Sequence, residues 1–67
     1  MITVSVNGET KSIEEAMSLE GFLTVLELNP KKVAVERNLE IVPKSTFANV
    51  TLENGDALEI VHFIGGG

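Results

Sequence analysis

Residues 2–13, ITVSVNGETKSI, read as two short strands joined by a minimal turn. Ile2, Val4 and Val6 alternate with Thr3 and Ser5, the period-two pattern of a strand with one buried face. Asn7 and Gly8 follow, and both residue types reach the positive φ values that a two-residue hairpin turn requires. A second strand is therefore expected from about Thr10 to Ile13. The periodicity then changes. In SLEGFLTVLEL, residues 18–28, Leu19, Phe22, Leu23 and Leu26 fall at i, i+3, i+4 and i+7, a single apolar stripe of a helix with Ser18 placed as its N-cap. Asn29-Pro30 is expected to stop this helix, because proline disfavours the α conformation of the residue before it. Gly21 sits inside the stripe, where glycine costs up to about 1 kcal/mol relative to alanine.

Beyond Lys31 and Lys32, VAVERN puts Val33 and Val35 on one face of a third strand and Ala34 and Glu36 on the other, with Asn38 as a turn residue. EIV, residues 40–42, is a candidate fourth strand, and PKSTF a compact turn or single helical turn. Asn54, Gly55 and Asp56 mark another tight bend. The last strand then runs ALEIVHFI, with Leu58, Ile60, His62 and Ile64 on one parity and Ala57, Glu59, Val61 and Phe63 on the other. Strand, hairpin, strand, helix and further strands describe an α+β fold, a β-grasp arrangement in which one main helix packs across a mixed sheet of four to five strands. The first and last strands would lie side by side in its middle. The expected core is Ile2, Val4, Val6, Leu19, Phe22, Leu23, Leu26, Val33, Val35, Leu58 and Ile60. One domain, residues 1–64, is followed by a glycine arm, residues 65–67.

Composition narrows the functions this fold can serve. A chain of 67 residues buries only about 60% of the surface its unfolded form exposes, so it carries one small core. The absence of cysteine excludes disulfides, thiolate metal sites and any side-chain thiol or persulfide. His62 is the single histidine and cannot make a metal cluster alone. Ten acidic against five basic residues give a net charge of −5, which repels nucleic-acid phosphates and anionic lipid. The opening residues carry no secretory pattern, and no apolar run is long enough to span a bilayer, so a cytoplasmic protein is expected.

No internal catalytic constellation is present: there is no phosphate-binding glycine loop, no serine or cysteine paired with a base, and no carboxylate pair spaced for a shared cleft. His62 lies on a strand of alternating apolar residues, where a packed or edge histidine is the ordinary outcome. Glu14, Glu15, Glu20 and Glu27 read as a solvated face. What remains is the ending. Gly65, Gly66 and Gly67 follow an apolar strand, so a mobile arm with a carboxylate at Gly67 is expected at one edge of the folded body. A carboxylate is an anion at neutral pH, with a pKa of about 3.3–3.7, and a poor electrophile until it is activated. Glycine lacks a Cβ and suits threading into a narrow active site.

AVERNLEIVP, residues 34–43, and LENGDALEIVHFIGGG, residues 52–67, together with the opening strand and its Asn-Gly turn, resemble the ThiS family of sulfur carriers in thiamine biosynthesis over essentially the whole chain. The related small subunit of molybdopterin synthase also ends in Gly-Gly, typically through a proline-containing segment, and VHFIGGG favours the thiamine branch. The resemblance implies a ubiquitin-like carrier without catalysis of its own and without a bound cofactor. The Gly67 carboxylate would be adenylated with ATP by a ubiquitin-activating-type enzyme and converted to a thiocarboxylate. A sulfur donor such as a cysteine desulfurase system would supply the sulfur, and thiazole synthase would receive it. Gly66 and Gly67 match the family's diglycine, and Gly65 extends it. Rival readings are a carrier for molybdopterin synthesis or tRNA thiolation, which shares the tail chemistry, and an interaction module that does not use its glycines. Strand parity places Ala34, Val61 and Phe63 on the sheet face away from the helix, a candidate docking surface near the root of the arm.

Overall fold

Five strands form one mixed sheet, and the residue patterns that build each strand also set their order. The computed structural model describes residues 1–63. The strands are β1 (Ile2–Val6), β2 (Glu9–Ile13), β3 (Val33–Arg37), β4 (Glu40–Val42) and β5 (Ala57–His62), with one helix, α1 (Leu19–Val25), and two 3-10 helices, Pro30–Lys32 and Lys44–Asn49. Across the sheet the order is β2-β1-β5-β3-β4. The expected mixed sheet of four to five strands has five, with the first and last strands adjacent at its centre. Ile64, the glycine arm and the boundary drawn after residue 64 lie outside the described residues.

Asn7 (φ 50°) and Gly8 (φ 88°) both take positive φ and close the first hairpin, pairing Val6 with Glu9 and Ile2 with Ile13. β1 runs parallel to β5 through Ser5↔Ala57 and Val6↔Leu58, and β5 runs antiparallel to β3 from Val33↔His62 to Arg37↔Leu58. Alternation then does the sorting. Val4, Val6, Val33, Val35 and Leu58 are buried with Leu19, Phe22 and Leu23 of α1. Each such side chain contributes on the order of 1.5–3 kcal/mol by leaving water.

The helix is shorter than residues 18–28, and Asn29-Pro30 is not what ends it. Ser18 caps it as expected, its Oγ accepting the Gly21 N–H at 3.0 Å. At the other end Glu27 turns into the left-handed region (φ 63°), so its N–H donates to Thr24 O and the Leu28 N–H donates back to Leu23 O, both at 2.9 Å. This pair of bonds satisfies the last carbonyls and reverses the chain. Asn29 instead caps the following 3-10 helix, accepting the Lys31 N–H, with Pro30 in its first turn. Leu26, past the last helical residue, is therefore half-buried, as are Ile2 and Ile60, and all three pack against the core from outside. Ile13, Phe47 and Leu52 are buried in addition to the expected set.

Candidate functional site

β5 leads to the glycine arm, and asparagine side chains fix its backbone from both sides. On the β1 side, the β1 ladder stops at Val6, and Asn7 extends it with its carboxamide: Oδ1 accepts the Ile60 N–H at 2.8 Å and Nδ2 donates to Ile60 O at 3.1 Å. On the β3 side, Asn38 Oδ1 accepts the Ala57 N–H at 3.0 Å, and the Asn38 backbone N–H donates to Ala57 O at 2.8 Å. Asn54 in the turn before β5 accepts the Thr3 N–H at 2.8 Å. The strand that presents the arm is thus held in place along its length.

Asp56 anchors the start of β5. It is the chain's one aspartate and pairs with its one arginine. Arg37 Nε donates to Asp56 Oδ2 at 2.9 Å, Asn38 Nδ2 to Oδ1 at 3.1 Å, and the Glu53 backbone N–H to Oδ2 at 2.8 Å. Burial pushes the carboxyl upward, but hydrogen bonds from Glu53, Asn38 and Arg37, with the Arg37 charge, outweigh it and hold the group below its ordinary value. By sequence Asp56 reads only as a turn residue, and no periodicity marks Arg37 and Asn38 as its partners or Asn7 as a brace on β5. The available signal was a lone Asp and a lone Arg, each next to a turn asparagine or glycine.

The sheet face away from α1 carries a shallow cavity of about 340 Å3 lined by Ala34, Val35, Glu36, Ile41, Glu59 and Val61. Ala34 and Val61 face each other in register, and Glu36 pairs with Glu59 one step along. Val61 is 62% and Ile41 77% exposed, so the apolar lining meets water. Of the three candidate docking residues, Ala34 and Val61 come together there, while Phe63 stands apart from the cavity. Its backbone N–H donates to Lys32 O at 2.8 Å, and the Lys44 ammonium lies 4.4 Å from the centre of its ring. Ile41 is the contributor that parity on β3 and β5 did not identify. His62 is exposed opposite Val33, set apart from any ionisable partner in the ladder.

Among the described residues no cluster of three or more His, Asp or Glu side chains is arranged to hold a metal ion, and no helix is long and apolar enough to cross a membrane. Gly65, Gly66 and Gly67, the expected sulfur-carrying and threading residues, lie outside the described residues. They lie inside the family match, which runs over residues 4–67 and is to the ThiS family.

The chain belongs to the ThiS family.

A crystal structure of a ThiS thiamine biosynthesis protein from Geobacter metallireducens superposes with a TM-score of 0.84 at 30% identity, covering 98% of this chain and all of that one. This ThiS-family fold is therefore the ubiquitin-like β-grasp expected from the element order. The sulfur carrier protein ThiS of Bacillus subtilis is 38% identical over 65 residues and is spanned over 98% of its length. A thiazole synthase of Paramagnetospirillum magneticum is 55% identical over 62 residues, and there the chain spans only 19% of the relative's length. A ThiS-like stretch in that relative belongs to the same polypeptide as a much larger remainder.

Proposed function

We propose that this ThiS-family chain is a sulfur carrier of thiamine biosynthesis, a co-substrate of partner enzymes and not a catalyst. The observation that carries the reading is the family match extending through Gly67, beyond the last strand and across all three glycines. The Gly67 carboxylate attacks ATP in the active site of a ubiquitin-activating-type enzyme, forming an acyl-adenylate and releasing pyrophosphate. The terminal sulfur of a persulfide on a donor such as a cysteine desulfurase system then attacks the carbonyl carbon and displaces AMP, and a thiol reductant cleaves the resulting acyl disulfide to leave the thiocarboxylate. Thiazole synthase takes the sulfur. The joining of a ThiS-like stretch to a protein named thiazole synthase supports that partner.

What the folded body contributes is placement. β5 is fixed by Asn7, Asn38 and the Asp56 network, so a partner that docks on it meets a backbone already ordered and avoids an ordering cost of about 1–2 kcal/mol per residue there. The exposed cavity around Ala34 and Val61 offers apolar contacts to the activating enzyme, and the exposed Phe63 ring, outside the cavity lining, offers one more.

Intact mass after incubation with ATP, activating enzyme and sulfur donor tests the reading. Wild type gains the mass of one oxygen-to-sulfur exchange at its terminus. Gly66→Val fails to load, because a β-branched side chain restricts the backbone and adds bulk within the channel. Its stability stays within about 0.5 kcal/mol of wild type, as for a substitution outside the core. Loading of Gly66→Val at the wild-type rate would overturn the reading. Val61→Asp and Phe63→Asp fold normally and bind the activating enzyme more weakly.

A further inference from the structure

We propose that the corner around Phe63 is a basic docking rim that engages carboxylate side chains around the channel mouth of the adenylating enzyme. The inference rests on the carrier reading and adds to it the chemistry of the partner's surface. In a chain of net charge −5, residues 28–35 and 41–52 contain Lys31, Lys32 and Lys44 and no acidic residue. The lysines belong to separate connections, Lys31 and Lys32 before β3 and Lys44 after β4. The fold brings them together. Lys44 Nζ donates to Lys31 O at 3.2 Å and lies 4.4 Å from the Phe63 ring, while the Phe63 N–H is bound to Lys32 O at 2.8 Å.

All three lysines are exposed, and none forms an ion pair among the described residues. The other two basic side chains are elsewhere: Arg37 is taken up by Asp56 and Glu53, and Lys11 is on β2, at the opposite side of the sheet from β4. The cavity around Ala34 and Val61 is lined by no lysine, so these ammonium groups do not enclose its space. They are hydrated point charges on flexible stems, suited to a ring of protein carboxylates met on approach. The overall acidity disfavours a polyanion such as nucleic acid as the occupant. Placed beside Phe63, the rim would turn an acidic molecule so that this end of β5 approaches the enzyme first.

The test compares Lys31→Glu and Lys32→Glu with Lys11→Glu, which has the same net charge but alters the far side of the sheet. Association with the ubiquitin-activating-type enzyme is followed by stopped flow from low to high salt, with ATP-dependent pyrophosphate exchange and thermal melts on the same samples. Steering contributes to association rates by factors of about 10 or more at low salt. The two rim variants are expected to associate about tenfold more slowly there, to converge with wild type at high salt as charges are screened, and to leave the KM for ATP unchanged. Lys11→Glu should change the rate less than about twofold. Rim variants that match Lys11→Glu, or a shifted KM for ATP, overturn the rim while wild-type exchange keeps the carrier reading standing. Absence of exchange in wild type overturns the carrier reading, and the rim with it.

Discussion

The two hairpin turns have the same geometry and different second residues. Asn7-Gly8 and Asn38-Leu39 each close a two-residue loop with both residues at positive φ, 50° and 88° in the first, 53° and 72° in the second. In both, the asparagine reaches back to hold β5, at Ile60 from one side and at Ala57 from the other. Glycine takes that conformation freely. Leucine there costs roughly 1–2 kcal/mol, and at 89% exposure Leu39 recovers none of it by burial. The first turn carries no side chain at that position, whereas the second keeps an apolar one in water two residues before Ile41, which lines the exposed cavity.

The largest effect should come from the network that only the second turn uses. Asp56→Ala leaves Arg37, Asn38 and the Glu53 N–H without their shared acceptor and should destabilise by about 2–3 kcal/mol in chemical denaturation. Acid titration sharpens the point. The folded-state value of Asp56 lies below its ordinary 3.8, so its contribution is complete above that pH and is lost as pH falls through the folded value. Wild type should lose more stability between neutral pH and pH values below 3.8 than Asp56→Asn does. Next comes Asn7→Ala, which removes both bonds to Ile60 and should cost about 1–2 kcal/mol. Hydrogen exchange at the Ile60 amide should rise in that variant well before exchange at Val35. The smallest change separates the turns most directly. Leu39→Gly should raise stability by up to about 1 kcal/mol in thermal or denaturant melts and lower affinity for the proposed activating enzyme, whereas Gly8→Leu should only destabilise.

What was legible in the sequence followed from periodicity and turn chemistry. Ile2, Val4 and Val6 repeat every second residue and Leu19, Phe22 and Leu23 every third or fourth, so β1, α1 and their buried faces could be read directly. Phe47 and Leu52 could not. They reach the core from a 3-10 segment and the loop after it, neither of which has a repeat long enough to mark an inward face. The helix end was misplaced because Glu27 adopts a conformation usually left to glycine, and residue type alone gives no sign of it. At the site, parity put Ala34 and Val61 on one face, but it could not find Ile41, since that depends on β4 lying beside β3. Contacts such as Arg37 to Asp56 join residues 19 apart and exist only once the sheet has formed.

β5 is the last element in the chain and the middle one in the sheet. The β1–β2 and β3–β4 hairpins can each form locally, but they stay separate until the final strand slides between them, parallel to one and antiparallel to the other. Closure of the sheet is therefore a non-local event, the kind of pairing that slows folding. During synthesis the nascent chain would wait as two half-sheets with an open slot, and a molecule cut short before residue 57 would have nothing to fill it. The order of synthesis is thus built into the fold: to become a stable body at all, the chain must already have made β5.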